Sequence, residues 1–212
     1  MTEHIADPAI AGQDWLFTRF VSRCERAVAQ LGNTVSTRDL VATYVSQLAR
    51  DWTMPDRVYR ELQPGMPYSS YQLYLNPSSG LSVILDIFAP GQLAPIHNHC
   101  CWGVFACLEG EELERLYDVP ADLSSPPLQI TCACNKPGNV SVADADRHAF
   151  HQVECVGDEP AISLHVYGAD LKRLERDRWD SHSESYVRFC SGSFAAPEQP
   201  AHYLTVIGLA SV

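Results

Sequence analysis

Apolar residues recur every three or four positions from Phe17 through Phe20, Val21, Cys24, Ala27, Val28 and Leu31, and Gly32-Asn33 follows them. That spacing lines one side of an amphipathic helix, and the glycine supplies its stop. A second stripe, Val41, Tyr44, Val45, Leu48 and Trp52, begins near Ser36, whose hydroxyl can cap a first turn, and ends before Pro55. Two helices packed on a sheet are predicted. Past Pro64-Gly65-Met66-Pro67 the pattern turns into short runs rich in β-branched and aromatic residues. These are Tyr71 to Leu75, Leu81 to Phe88, Trp102 to Leu108, Leu128 to Cys132 and Ala161 to Tyr167, with weaker ones near Val140 and Val153. Turn clusters such as Asn76-Pro77-Ser78-Ser79-Gly80 and Ala89-Pro90-Gly91 separate them, so an antiparallel barrel or sandwich is expected. A last helical piece is predicted from Ala169 to Trp179, and a strand-like run, Tyr203 to Leu209, lies in the tail.

With 212 residues, 46% of them hydrophobic, the chain can bury one substantial core. It is read as a single domain, with a helical part over 1–55, a barrel over 68–168 and a C-terminal helix and tail over 169–212. The formal charge of −11 disfavours nucleic acid and anionic membrane surfaces as partners. An anionic small molecule would then need a local basic group, and Lys172, Arg173, Arg176 and Arg178 form such a cluster, although most of its charges suit a solvated face. The N-terminus lacks the basic start and apolar run of a secretory signal, which points to the cytoplasm. A chain this well supplied with core residues has no need of disulfides, so its eight cysteines are read as reduced thiols. The pair Cys132 and Cys134 has no partner pair at zinc-site spacing and reads as two small side chains on one strand face. The oligomeric state is not legible.

The strongest chemical signal is Pro95-Ile96-His97-Asn98-His99, because residues two apart on a strand share a face and can offer two imidazoles to one ion. A third ligand is available in His148-Ala149-Phe150-His151. His148 and His151 differ in strand parity, so only one of them can point inward. Three histidines with open positions suit iron(II), and zinc accepts such a set as well. In Ser163-Leu164-His165-Val166-Tyr167-Gly168 the residues Ser163, His165 and Tyr167 alternate and share a face. They form either the watery face of a strand or, if turned inward, a hydrogen-bonded relay, since unpaired they would be costly to bury.

At these residues the chain resembles the thiol dioxygenases of the cupin superfamily, the cysteine dioxygenase and bacterial 3-mercaptopropionate dioxygenase type. The resemblance runs from about Tyr71 to Arg176. It is carried by Pro90-Gly91-Gln92 through His97-Asn98-His99, Trp102-Gly103-Val104, His151-Gln152-Val153 and Ser163 to Gly168. It implies a mainly β fold, a small antiparallel cupin barrel or jelly roll with two N-terminal α-helices. It further implies Fe(II) on His97, His99 and His151, a catalytic relay of Ser163, His165 and Tyr167, and dioxygen oxidising a small mercapto-carboxylic acid to its sulfinic acid. The arginine that holds the substrate carboxylate in mercapto-acid members falls on Arg176, with Arg173 as second choice. Val104 stands where cysteine dioxygenases of the mammalian type carry a cysteine cross-linked to the relay tyrosine, so no cross-link is expected. The reading of a different class is a cupin sensor that binds metal or ligand without turnover.

Overall fold

The computed structural model describes residues 8–51, 60–62 and 68–192; the strand-like run Tyr203 to Leu209 lies outside them. Helix α1 spans Pro8–Leu31 and α2 spans Val35–Asp51. A proline has no N–H to leave unpaired in a first turn, so α1 begins at Pro8, ahead of the periodicity that predicts it from Phe17. It ends where Gly32 takes a φ of +67° and donates its N–H to the Val28 carbonyl at 2.8 Å, a left-handed closure open to glycine at little cost. Thr34, not Ser36, caps α2, with its Oγ1 accepting the Thr37 N–H at 3.3 Å.

Ten strands follow: β1 Tyr68–Leu75, β2 Ser82–Phe88, β3 Gly103–Glu109, β4 Glu112–Asp118, β5 Leu128–Asn135, β6 Val140–Ala143, β7 Phe150–Cys155, β8 Ala161–Tyr167, β9 Arg176–Asp180 and β10 Ser185–Phe189. They pair antiparallel as a five-stranded sheet in the order β1-β2-β8-β3-β6, a three-stranded sheet β5-β4-β7 and a ribbon β10-β9. This is the mainly β, antiparallel architecture with two N-terminal helices that the sequence leads one to expect. Among the described residues no helix is long and apolar enough to cross a membrane.

The helices cover one face of the five-stranded sheet. Phe17, Phe20, Val21 and Cys24 of α1 and Val41, Val45 and Leu48 of α2 are buried in one cluster with Leu73, Val83, Leu85, Val104, Ala106, Leu164 and Val166. Strand β8 is therefore buried throughout: Ile162, Leu164 and Val166 enter the helix-covered core, which leaves Ser163, His165 and Tyr167 to the barrel interior. One sequence expectation needs correction, and strand β4 goes unpredicted. The charged stretch Glu-Leu-Glu-Arg-Leu-Tyr-Asp forms β4, although it carries no apolar run. And the expected helix Ala169 to Trp179 is a turn followed by a strand. Asp170 holds the turn, its carbonyl accepting the Arg173 and Leu174 N–H groups at 3.0 Å. Beyond it the chain is drawn out by long-range pairing: Asn98 N–H donates to the Asp177 carbonyl at 3.1 Å and Trp179 N–H to Ile96 at 2.8 Å. A short stretch of helix cannot compete with a strand that satisfies backbone groups on two sides.

The eight cysteines are unpaired. Cys132 and Cys134 share a face of β5 as expected, but that edge strand is exposed, so they are surface residues.

Candidate metal centre

The segment Ile96 to His99 lies between strands and is held from both sides. The main chains of His97 and His151 exchange N–H···O bonds, both at 2.9 Å, and His97 also bridges Arg178. Asn98 is fully buried and clamps the segment, its Nδ2 donating to the Arg147 carbonyl at 2.6 Å and its Oδ1 accepting the Asp177 N–H at 2.9 Å. His97, His99 and His151 thereby come together, each offering one nitrogen within 4.8 Å of the others. His148 stays in the preceding turn, where its N–H donates to the Asp146 carboxylate at 2.8 Å.

The donor chemistry of this cluster fits a divalent metal. His97 Nδ1 lies 2.8 Å from the Pro95 carbonyl and His151 Nδ1 2.8 Å from Glu114 Oε1. Both acceptors require a protonated Nδ1, so the lone pair of each ring falls on Nε2. His151 Nε2 is buried with no hydrogen-bond partner among the described residues, a free acceptor beside His97 and His99. Burial, and then the proximity of His151, holds His97 and His99 well below the usual imidazole range, so both rings are neutral, the form a metal requires of an imidazole ligand. Burial is the largest influence on the Glu114 carboxyl and works to raise it, but the hydrogen bond from His151, the proximity of that ring and the hydrogen bond from Asn135 together outweigh it and keep the group below its ordinary value.

Beside the cluster the three inward residues of β8 form a continuous chain of hydrogen bonds. Ser163 Oγ lies 2.8 Å from His165 Nε2, His165 Nδ1 lies 3.0 Å from the Tyr167 hydroxyl, and that hydroxyl lies 3.4 Å from His99 Nε2. All three are buried. Burial, reinforced by Asp86, pushes the Tyr167 phenol well above its ordinary range, and burial holds His165 below its own.

The chain does not stop at Ser163. Asp86 Oδ2 lies 3.5 Å from His165 Nε2, and the buried carboxyl of Glu112 lies beside Ser163. Neither carboxyl stands out in the sequence. Their signal is weak, since a lone aspartate in an apolar strand and a glutamate in a charged one usually face water. Burial, offset in part by Ser163, raises Glu112 to about 7. A carboxyl raised from 4.5 favours the fold while protonated, and that contribution is lost as pH rises through about 7. Glu112→Gln is therefore expected to flatten the fall in stability between pH 5 and 8 by about 3 kcal/mol. Urea melts of both proteins at the two pH values measure this. Parallel losses would show that Glu112 does not control it.

One cavity of about 500 Å³ joins these groups, and its lining includes the three histidines, His165, Tyr167, Asp86, Arg176, Arg178 and Phe189. Arg176 is buried, with its guanidinium carbon 4.5 Å from the Phe189 ring centre, its Nη2 donating to Ser191 Oγ and its Nε unpartnered. Arg173, the second choice from sequence, is exposed, pairs with Asp170 at 3.6 Å and does not line the cavity. Cys101 packs with Ile84, Phe105, Tyr167 and Leu171, and burial pushes its thiol up to about 12. Val104 faces the helical layer, while Gly103 is the residue across from Tyr167.

A model of the auxin-binding protein family matches residues 75–171. The chain is 27% identical over 92 residues to auxin-binding protein 1 of Arabidopsis thaliana, covering 41% of this chain and 46% of that protein. Among solved structures it is similar to an oxalate oxidase in complex with the substrate analogue glycolate, at 18% identity and a TM-score of 0.43 over 55% of this chain and 59% of that one. It is also similar to a protein of Thermus thermophilus, at 21% identity and a TM-score of 0.42 over 55% and 96% of the two chains. The described residues bring together three histidines that could hold a metal, and the chain spans about half the length of the Arabidopsis relative it matches.

Proposed function

We propose that this chain is an iron(II)-dependent thiol dioxygenase, which oxidises the thiol of a small mercapto-carboxylic acid, of the 3-mercaptopropionate or cysteine kind, to the sulfinic acid. The observation that carries the reading is the junction of two arrays in one cavity. The buried chain Ser163–His165–Tyr167 ends with its phenol 3.4 Å from a nitrogen of the three-histidine cluster. Simple ligand binding has no use for such a chain, whose desolvation must be offset by its own hydrogen bonds.

His97, His99 and His151 would hold the metal. Iron bound there would supply Lewis acidity and open positions for a thiolate and dioxygen. Because all three ligands are neutral, the site keeps its full positive charge and favours a thiolate over a thiol. Sulfur gives up four electrons and dioxygen takes four, so both oxygen atoms reach sulfur with no outside reductant. Arg176 orients the substrate through its carboxylate, with Phe189 fixing the plane of the guanidinium. Tyr167 directs its O–H into the cavity, held by His165, which Ser163 orients in turn. At neutral pH the phenol keeps its proton and acts as a hydrogen-bond donor. The reading includes cytoplasmic residence and no nucleic-acid or membrane partner, in keeping with the charge of −11.

Tyr167→Phe is expected to lower kcat on the order of 10²-fold while iron content is unchanged, because one preorganised donor is lost and no ligand is touched. Iron analysis beside steady-state kinetics checks this; an unaltered kcat would remove Tyr167 from the chemistry. The deciding experiment is oxygen uptake by iron-loaded protein with a panel of small thiols, with product masses recorded. A gain of two oxygens on one thiol is the expected result. Bound iron with no uptake from any thiol would overturn the proposal in favour of a ligand-binding cupin.

A further inference from the structure

Resting on that reading, we infer that the substrate carries two carboxylates, the second held by Arg178 at the mouth of the cavity. Arg176 and Arg178 are two residues apart on β9 and share one of its faces, roughly 7 Å apart along the strand. Both guanidinium carbons lie against the same ring, at 4.5 and 5.7 Å from the centre of Phe189, and both side chains line the cavity. Asp177, between them, faces the other way and takes up Arg147 and Arg188.

Charge pairing and position together set these two arginines apart: Arg19, Arg23, Arg26 and Arg50 of the helices also meet no carboxylate among the described residues, but none of them lines the cavity. Arg38, Arg60, Arg115, Arg147, Arg173 and Arg188 each meet a carboxylate. In a protein with 26 acidic and 15 basic residues, Arg176 and Arg178 have no carboxylate partner among the described residues. Among the described residues the one acidic lining residue is Asp86, and it faces His165. Along the cavity wall two guanidinium groups and one carboxylate, with a divalent ion on the histidines, leave three positive charges; Glu114 stands behind His151, outside the lining, with its charge toward that imidazole's N–H. A monocarboxylate thiolate neutralises two of them. A thiolate with two carboxylates, such as 2-mercaptosuccinate, neutralises all three and gives each arginine a planar partner. Arg176 is buried and would hold the inner carboxylate; Arg178 is exposed at the rim, where it can also draw the anion in from solution.

The test uses iron-loaded protein without oxygen, titrated calorimetrically with succinate and with propionate, which lack the thiol. Succinate is expected to bind at least tenfold more tightly, and Arg178→Gln, a surface substitution, is expected to remove that preference. With oxygen present, the same variant is expected to lower the ratio of kcat/KM for 2-mercaptosuccinate over 3-mercaptopropionate at least tenfold. Equal binding of the two acids, or a preference that survives Arg178→Gln, would overturn the inference even if thiols are oxidised. A succinate preference that depends on Arg178, in a protein that oxidises no thiol, would uphold the diacid site and remove the dioxygenase reading instead.

Discussion

His151→Ala is expected to abolish stable iron binding and to reduce thiol oxidation on the order of a thousandfold or more, the largest effect of any single substitution here. His151 is joined to the site in three ways. Its Nε2 is the unpartnered acceptor beside the other two imidazoles, its Nδ1 meets Glu114 at 2.8 Å, and its main chain pairs with that of His97. Alanine keeps the main-chain pairing, so the barrel should still form. What it loses is a ligand and the partner of a partly buried carboxylate, and an abandoned buried acceptor costs at most about 1 to 3 kcal/mol of stability. Metal analysis after gel filtration, together with a thermal melt, separates the two effects. Full iron occupancy in the folded variant would exclude His151 as a ligand. The milder Glu114→Gln keeps a side-chain oxygen to accept from Nδ1 but loses its charge, and about a tenfold to hundredfold weaker iron affinity is expected.

Arg176→Leu is expected to lower kcat/KM on the order of 10² to 10³-fold, mostly through KM, which corresponds to about 3 to 4 kcal/mol of lost interaction with the substrate carboxylate. Arg176→Lys should recover little, since an ammonium cannot form the planar fork or lie flat on Phe189. Stability is expected to move the other way. Burial lowers the Arg176 pKa, so the fold bears a cost for keeping this cation desolvated without a carboxylate, and leucine removes it. A variant with an equal or higher melting temperature and a much higher KM is the signature of a side chain placed for its ligand. A matching fall in stability and activity would instead mark Arg176 as structural, and unchanged kinetics would end its assignment as the carboxylate clamp.

The helices, most strands and the three histidines are legible because each rests on a local regularity. Apolar spacing places α1 and α2, runs of β-branched and aromatic residues place β2, β3 and β8, and a His-x-His pair needs no distant residue to be noticed. Parity also narrows the third ligand, since His148 and His151 cannot both face inward. The errors fall where local preference and long-range pairing disagree. Residues 169–179 are charged and carry no turn-forming proline, so their local preference is helical, yet Asn98 and Ile96 draw Asp177 and Trp179 into an extended ladder. Strand β4 escapes notice because its inward positions are Glu112 and Glu114, and a strand that turns glutamates to the interior has no hydrophobic alternation to reveal it.

By itself the sequence determined what is short-range: the amphipathic helices, the β-rich centre, the excess of negative charge and the supply of imidazoles at strand spacing. Only the tertiary structure decided which face of β8 is dry. Two helices bury Leu164 and Val166, and this turns Ser163, His165 and Tyr167 inward, where an unpaired polar group is costly and a hydrogen-bonded chain is favoured. It also decided that Arg176, not Arg173, reaches the cavity, that Asp86 and Arg178 line it, and that Glu112 and Glu114 stand behind Ser163 and His151. Those contacts join residues from several separate strands and the loop that carries His97. Burial, desolvation and charge pairing depend on distances in space, which no local pattern of residues encodes.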